Sequence, residues 1–127
     1  MWHTANKPQY IVKTDKIGYN IFEVINMNTF EEIYAEVSLI PKGKVASYGY
    51  IACRVGNPHL SRVVGYALHA NPRPNEIPCH RVVMKDGSVS SGFVFGGPDV
   101  QREKLKSEGV IFLPDGRVDM EKCALKL

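Results

Sequence analysis

The sequence predicts a mainly helical domain carrying a small β wing, a winged helix-turn-helix, and three observations predict it. Apolar residues recur at helical spacing over residues 30–40 and again over 60–68. Two short helical segments meet at the glycine-bearing turn Gly56-Asn57-Pro58. Downstream, residues 79–84 and 88–91 flank Lys85-Asp86-Gly87, the turn chemistry of a hairpin, and a hairpin placed after a helix-turn-helix is a wing. A chain of 127 residues supports one such domain, because halving it would leave neither part enough residues to bury a core. The expected organisation is a short arm or hairpin over residues 1–28, around Asp15-Lys16-Ile17-Gly18, and a domain over 29–127.

Each element has a local cause. Thr29 is expected to cap the first helix, whose stripe is Phe30, Ile33, Tyr34, Val37 and Ile40, and Pro41-Lys42-Gly43 stops it. Ser47 caps a second helix carrying Ile51, Ala52 and Val55 and ending at Gly56. Asn57 caps a third with Pro58 at its first position, where the missing N–H costs nothing. Leu60, Val63, Val64, Ala67 and Leu68 form its apolar stripe, which leaves Ser61, Arg62 and Gly65 on an exposable face. Asn71-Pro72-Arg73-Pro74-Asn75 reads as a rigid loop. Pro98 opens a last helix that ends at Gly109, and residues 110–112 with 116–118 read as a closing hairpin.

Composition excludes several classes. Sixteen Lys and Arg against thirteen Asp and Glu leave a formal charge of +3, which permits a polyanionic partner without requiring one. Cys53, Cys79 and Cys123 are odd in number and form no Cys-x-x-Cys pair, so neither a disulfide framework nor a zinc knuckle is expected. Residues 1–7 hold no apolar signal core, and no stretch approaches the ~18 apolar residues of a membrane span. These features lead to an expectation of a reducing, cytoplasmic setting (or a nucleus, in a eukaryote), with no metal, no cofactor and no membrane.

Chemistry concentrates in Ile77-Pro78-Cys79-His80-Arg81-Val82-Val83, where a thiol, an imidazole and a guanidinium follow a proline-stiffened loop. A free thiol is mostly protonated at neutral pH, and a neighbouring base or cation raises the thiolate fraction. Adjacent strand residues face opposite ways, so His80 would reach the Cys79 sulfur through a local kink at Pro78 or through a water. Taken alone, the dipeptide better describes a small buried cysteine that only packs.

Across residues 30–109 the chain resembles the DNA-binding, active-site domain of the O6-alkylguanine-DNA alkyltransferases. The resemblance rests on Ile40-Pro41-Lys42-Gly43-Lys44-Val45-Ala46-Ser47-Tyr48-Gly49, Gly56-Asn57-Pro58, Arg62-Val63-Val64-Gly65, Asn71-Pro72-Arg73-Pro74 and the Pro78-Cys79-His80-Arg81 segment, in one order. It implies that Cys79 takes an alkyl group irreversibly from O6 of a damaged guanine, with His80 as base and Glu108 as the carboxylate that orients it. It implies that Arg62 braces the stack left by a flipped nucleotide, with Tyr48 against the purine and phosphate, and that Ser61 and Gly65 let the helix enter a minor groove. Asn71, Val82, Ser91 and Gly92 correspond to the pocket.

Beyond Gly92, Phe93-Val94-Phe95-Gly96-Gly97-Pro98, Gln101-Arg102 and Gly116-Arg117-Val118-Asp119 look more like the alkyltransferase-like proteins, which bind such lesions without transfer and recruit excision repair. Those relatives carry tryptophan or alanine at the position of Cys79. The partner implied is double-stranded DNA containing O6-alkylguanine, met by a monomer, with excision-repair proteins added under the second reading. A winged-helix binding module with an inert Cys79, or an unrelated cysteine hydrolase, are the other classes; for the latter no glycine-rich oxyanion loop is evident.

Overall fold

A computed structural model describes residues 29–127, and the arm predicted over residues 1–28 lies outside them. Helix α1 spans Phe30–Val37 and buries Ile33, Tyr34 and Val37, the stripe its spacing predicts. Its cap differs from expectation. Thr29 already has helical torsions (φ −67°, ψ −39°) and makes no side-chain cap bond, because a capping side chain needs an extended backbone to reach back to the first N–H groups.

Helix α2, Tyr48–Arg54, starts as predicted: Ser47 is extended, and its hydroxyl accepts a hydrogen bond from the Tyr50 N–H. Asn57 accepts from the His59 N–H, but the turn it caps, Pro58–Leu60, is 3-10, and α3 proper runs Ser61–His69. Helices α2 and α3 pack together as a helix-turn-helix. The Tyr34 hydroxyl donates to the buried Ala67 carbonyl at 2.8 Å and so ties α1 to α3. Helix α4 spans Gly97–Ser107 and stops at Glu108-Gly109 as expected. It is not the last helix, since α5 follows at Met120–Cys123, capped by the Asp119 side chain.

The β structure departs most from the sequence reading. Strand β1 (Ala46–Ser47) pairs in parallel with β2 (Val82–Val83), in register Ala46 with Val82 and Ser47 with Val83. The predicted wing hairpin survives as a tight turn: Met84 N–H donates to Ser88 O at 2.9 Å, but residues 88–91 form no strand. Gln101 is the cause. Its Oε1 accepts from the Ser90 N–H at 2.9 Å and its Nε2 donates to the Val82 carbonyl at 3.0 Å. Val82 and Ser90 stand opposite one another in that register, so the Gln101 amide occupies the place of the ladder bond they would share. The closing hairpin is likewise reduced, to one antiparallel bridge between Phe112 and Val118.

Alternation along these short strands separates two cores. Ala46 and Val82 join α1, α2 and α3 in one cluster, whereas Val45 and Val83 join Leu105, Val110, Val118 and Cys123 in the other.

Candidate active site

The nucleophile segment is a bend rather than a strand. Residues Cys79–Arg81 form a 3-10 turn in which the Cys79 N–H donates to Ile77 O at 2.7 Å and the Arg81 N–H to Pro78 O at 2.9 Å. The kink expected at Pro78 is therefore present. Asn71 holds the loop that leads into it: its Nδ2 donates to Ile77 O and its Oδ1 accepts from the Arg73 N–H, each at 2.9 Å. Cys79 is buried at 5% exposure and still lines a cavity of about 700 Å³.

The wall of that cavity gathers residues from three elements. Tyr48 comes from α2, and Ser61, Arg62 and Gly65 from α3, while Ser91 and Gly92 come from the loop before α4. Phe93, Val94 and Phe95 complete it, the two phenylalanine rings meeting edge to face at 5.8 Å. Seven of the residues predicted from sequence thus face one space. Val82 does not: it is fully buried in the first core cluster, because β2 turns it away from the cavity. Cys53, on α2, is half-buried.

Behind Cys79 lies a charged cluster. His80 Nε2 is 2.9 Å from Glu108 Oε2, and the Arg81 guanidinium grips the same carboxylate twice, Nε to Oε1 and Nη2 to Oε2, each at 2.9 Å. The remaining Arg81 Nη1 donates to Ile40 O at the end of the α1 segment, at 2.7 Å. Burial pushes the Glu108 carboxyl up, but the hydrogen bonds from Arg81 and His80, and their charges, overcome it and hold it at about 2. Burial lowers His80 below its ordinary 6.5 against the pull of Glu108, so the imidazole is neutral at pH 7. An ionised carboxylate only accepts hydrogen bonds, so Nε2 carries the imidazole proton and Nδ1 is left with a free lone pair.

Burial also raises the Cys79 thiol above its ordinary 9.0, an effect that the Asn71 amide partly offsets. The resting group is a thiol that needs a base. Tyr48 is raised too, first by burial, with Ser90 as its hydrogen-bonding neighbour, so it faces the cavity as a neutral hydroxyl.

Two residues of this machinery were missed in the sequence. Arg81 stood inside the quoted motif but was given no role, and Gln101 is fully buried with Nε2 also donating to His80 O at 3.0 Å. The signal for Gln101 was its spacing: it lies one helical turn before the buried Leu105, on the inward face of α4.

A helix-turn-helix whose second helix borders a cavity lined by a buried thiol has the build of a DNA-binding domain with a candidate nucleophile beside its second helix. Comparison with known proteins gives the same answer. The model of the 6-O-methylguanine DNA methyltransferase DNA-binding domain matches residues 28–110, and the chain belongs to this family. It is 35% identical over 94 residues to the Escherichia coli DNA base-flipping protein, covering 72% of this chain and 70% of that one. It is 35% identical to the rat methylated-DNA–protein-cysteine methyltransferase over 65% of this chain and 39% of the rat protein. A crystal structure of S. pombe Atl1 in complex with damaged DNA containing O6-carboxymethylguanine superposes with a TM-score of 0.66 at 31% identity, covering 77% of this chain and 94% of that one.

Proposed function

We propose that the protein repairs O6-alkylguanine in duplex DNA by flipping the nucleotide into the cavity and moving the alkyl group onto Cys79. The observation that carries this reading is the Cys79 thiol lining a cavity bordered by Arg62, with neutral His80 and ionised Glu108 behind it. The thiol proton passes through a water to His80 Nδ1. The sulfur attacks the alkyl carbon, an S–C bond forms as the C–O6 bond breaks, the electron pair of that bond stays on the guanine, and the guanine anion takes a proton at its ring nitrogen from water, which the imidazolium of His80 resupplies as it returns to neutral. No step restores the thiol, so each molecule acts once.

Arg62 fills the vacated stack, which its length and charge suit it to do, and Ser61 and Gly65 keep the helix surface low enough to follow a minor groove. In this reading the protein acts as a monomer in the reducing compartment that holds the DNA.

A second reading is favoured by the reach of the similarity to S. pombe Atl1, which covers 94% of that chain: the protein binds the lesion, transfers nothing and hands it to excision-repair proteins. One experiment separates the two. After incubation with duplex DNA containing O6-methylguanine, the Cys79 peptide is expected to gain the mass of a methyl group. Retained lesion binding with an unmodified Cys79 would leave only the second reading. Arg62→Ala is expected to lower discrimination between lesion and undamaged duplex while Cys79 still reacts with small electrophiles; repair of duplex DNA at an unaltered rate would remove the finger role.

A further inference from the structure

A second groove, of about 690 Å³, runs beside the lesion cavity and shares Tyr48, Ser61 and Met84 with it. Its far wall is built from Lys85, in the turn after β2, and from Leu125 and Lys126. The latter pair belongs to the segment beyond residue 110, where the family match ends. That segment is fixed in place. Val45 N–H donates to Cys123 O at 3.0 Å and Leu125 N–H to Val45 O at 2.8 Å, so the tail lies along the free side of β1. It also pins the turn that carries Lys85: Val118 N–H donates to Gly87 O at 2.8 Å, and Arg117 Nη1 to Asp86 O at 3.1 Å.

No Asp or Glu lines the groove, whereas two lysines, Ser47, Ser61 and the last residue, Leu127, do. Among the described residues neither lysine ammonium has a hydrogen-bond or ion-pair partner. Two cations without a partner among the described residues, and continuity with the helix-turn-helix surface, match a chain of phosphates.

We propose that this groove carries the sugar-phosphate backbone of DNA flanking the flipped nucleotide, with Lys85 and Lys126 as its phosphate contacts. The proposal rests on the DNA-binding reading above and adds to it a backbone track supplied by the tail. Because phosphates are the same in damaged and undamaged DNA, the groove contributes affinity without lesion discrimination.

The test is the salt dependence of duplex binding, measured for lesion and undamaged DNA with the full chain. Lys85→Ala and Lys126→Ala are each expected to reduce the slope of log affinity against log salt by about one, and to weaken both duplexes equally. Lys122→Ala removes the same charge from the exposed tail outside the groove, and is expected to leave the slope as it was. If the groove variants keep the original slope, or Lys122→Ala lowers it as much as they do, the track is wrong while the lesion site stands. If the unaltered protein binds neither duplex, the functional reading falls and the track falls with it.

Discussion

At the scale of single residues, the cluster behind Cys79 divides its labour by burial and charge. Glu108 does two things at once: it fixes which imidazole nitrogen is protonated, and it neutralises the guanidinium of Arg81. Glu108→Gln keeps the shape but replaces an obligate acceptor with a group that can also donate, so the His80 tautomer is no longer dictated. The single-turnover transfer rate is expected to fall about 100-fold, within the range of general-base contributions. The pH profile gives a second reading of the same assignment. With His80 lowered below 6.5, the unaltered protein should hold its rate between pH 8 and 7 and lose it at lower pH as the imidazole protonates. A rate that already declines between pH 8 and 7 would show that a group other than neutral His80 takes the proton.

At the scale of elements, one side chain decides whether a hairpin forms. Gln101 satisfies the Ser90 N–H and the carbonyls of His80 and Val82, and so holds open the loop that walls the cavity lined by Cys79. Gln101→Leu keeps the volume and strands three backbone groups, an expected loss of about 3 kcal/mol in urea unfolding. An unchanged urea midpoint would mean that the segment closes into the hairpin its sequence favours. Gly87 marks the other limit on this loop. At φ +93°, a Cβ there would overlap the Val118 carbonyl oxygen, so Gly87→Ala is expected to destabilise through both strain and clash.

These two positions show what was legible in the sequence and what was not. The helices could be read because their causes are local: the stripe Ile33, Tyr34, Val37, the Ser47 and Asn57 caps, the stop at Gly109. The cavity residues Tyr48, Arg62, Cys79 and Ser91 followed from motif order. The parallel pairing of Val82–Val83 with Ala46–Ser47, the displacement of the hairpin by Gln101 and the grip of Arg81 on Glu108 are contacts between distant segments, which no local pattern encodes.

At the scale of the whole molecule, Arg81 joins parts that the hydrophobic clusters keep separate. It reaches from the turn beside the first core to Glu108 at the end of α4 and to the Ile40 carbonyl after α1. Its side chain is 13% exposed, as is that of Glu108, so the pair is screened less than a surface bridge. Folding should therefore depend on the ionisation of Glu108. In the unfolded chain this carboxyl titrates near its ordinary 4.5, and in the folded protein at about 2. Between those values the unfolded state binds more protons, so the contribution is complete above pH 4.5 and is lost as the pH falls toward 2. Arg81→Met removes the two bonds to Glu108 that depend on this charge, and also the bond to Ile40 O, which does not. The urea midpoints of the unaltered protein and Arg81→Met are thus expected to converge part of the way as the pH drops from 4.5 toward 2. Parallel curves across that window would show that Arg81 holds the two halves together through Ile40 alone, and that the charge on Glu108 serves His80 without supporting the fold.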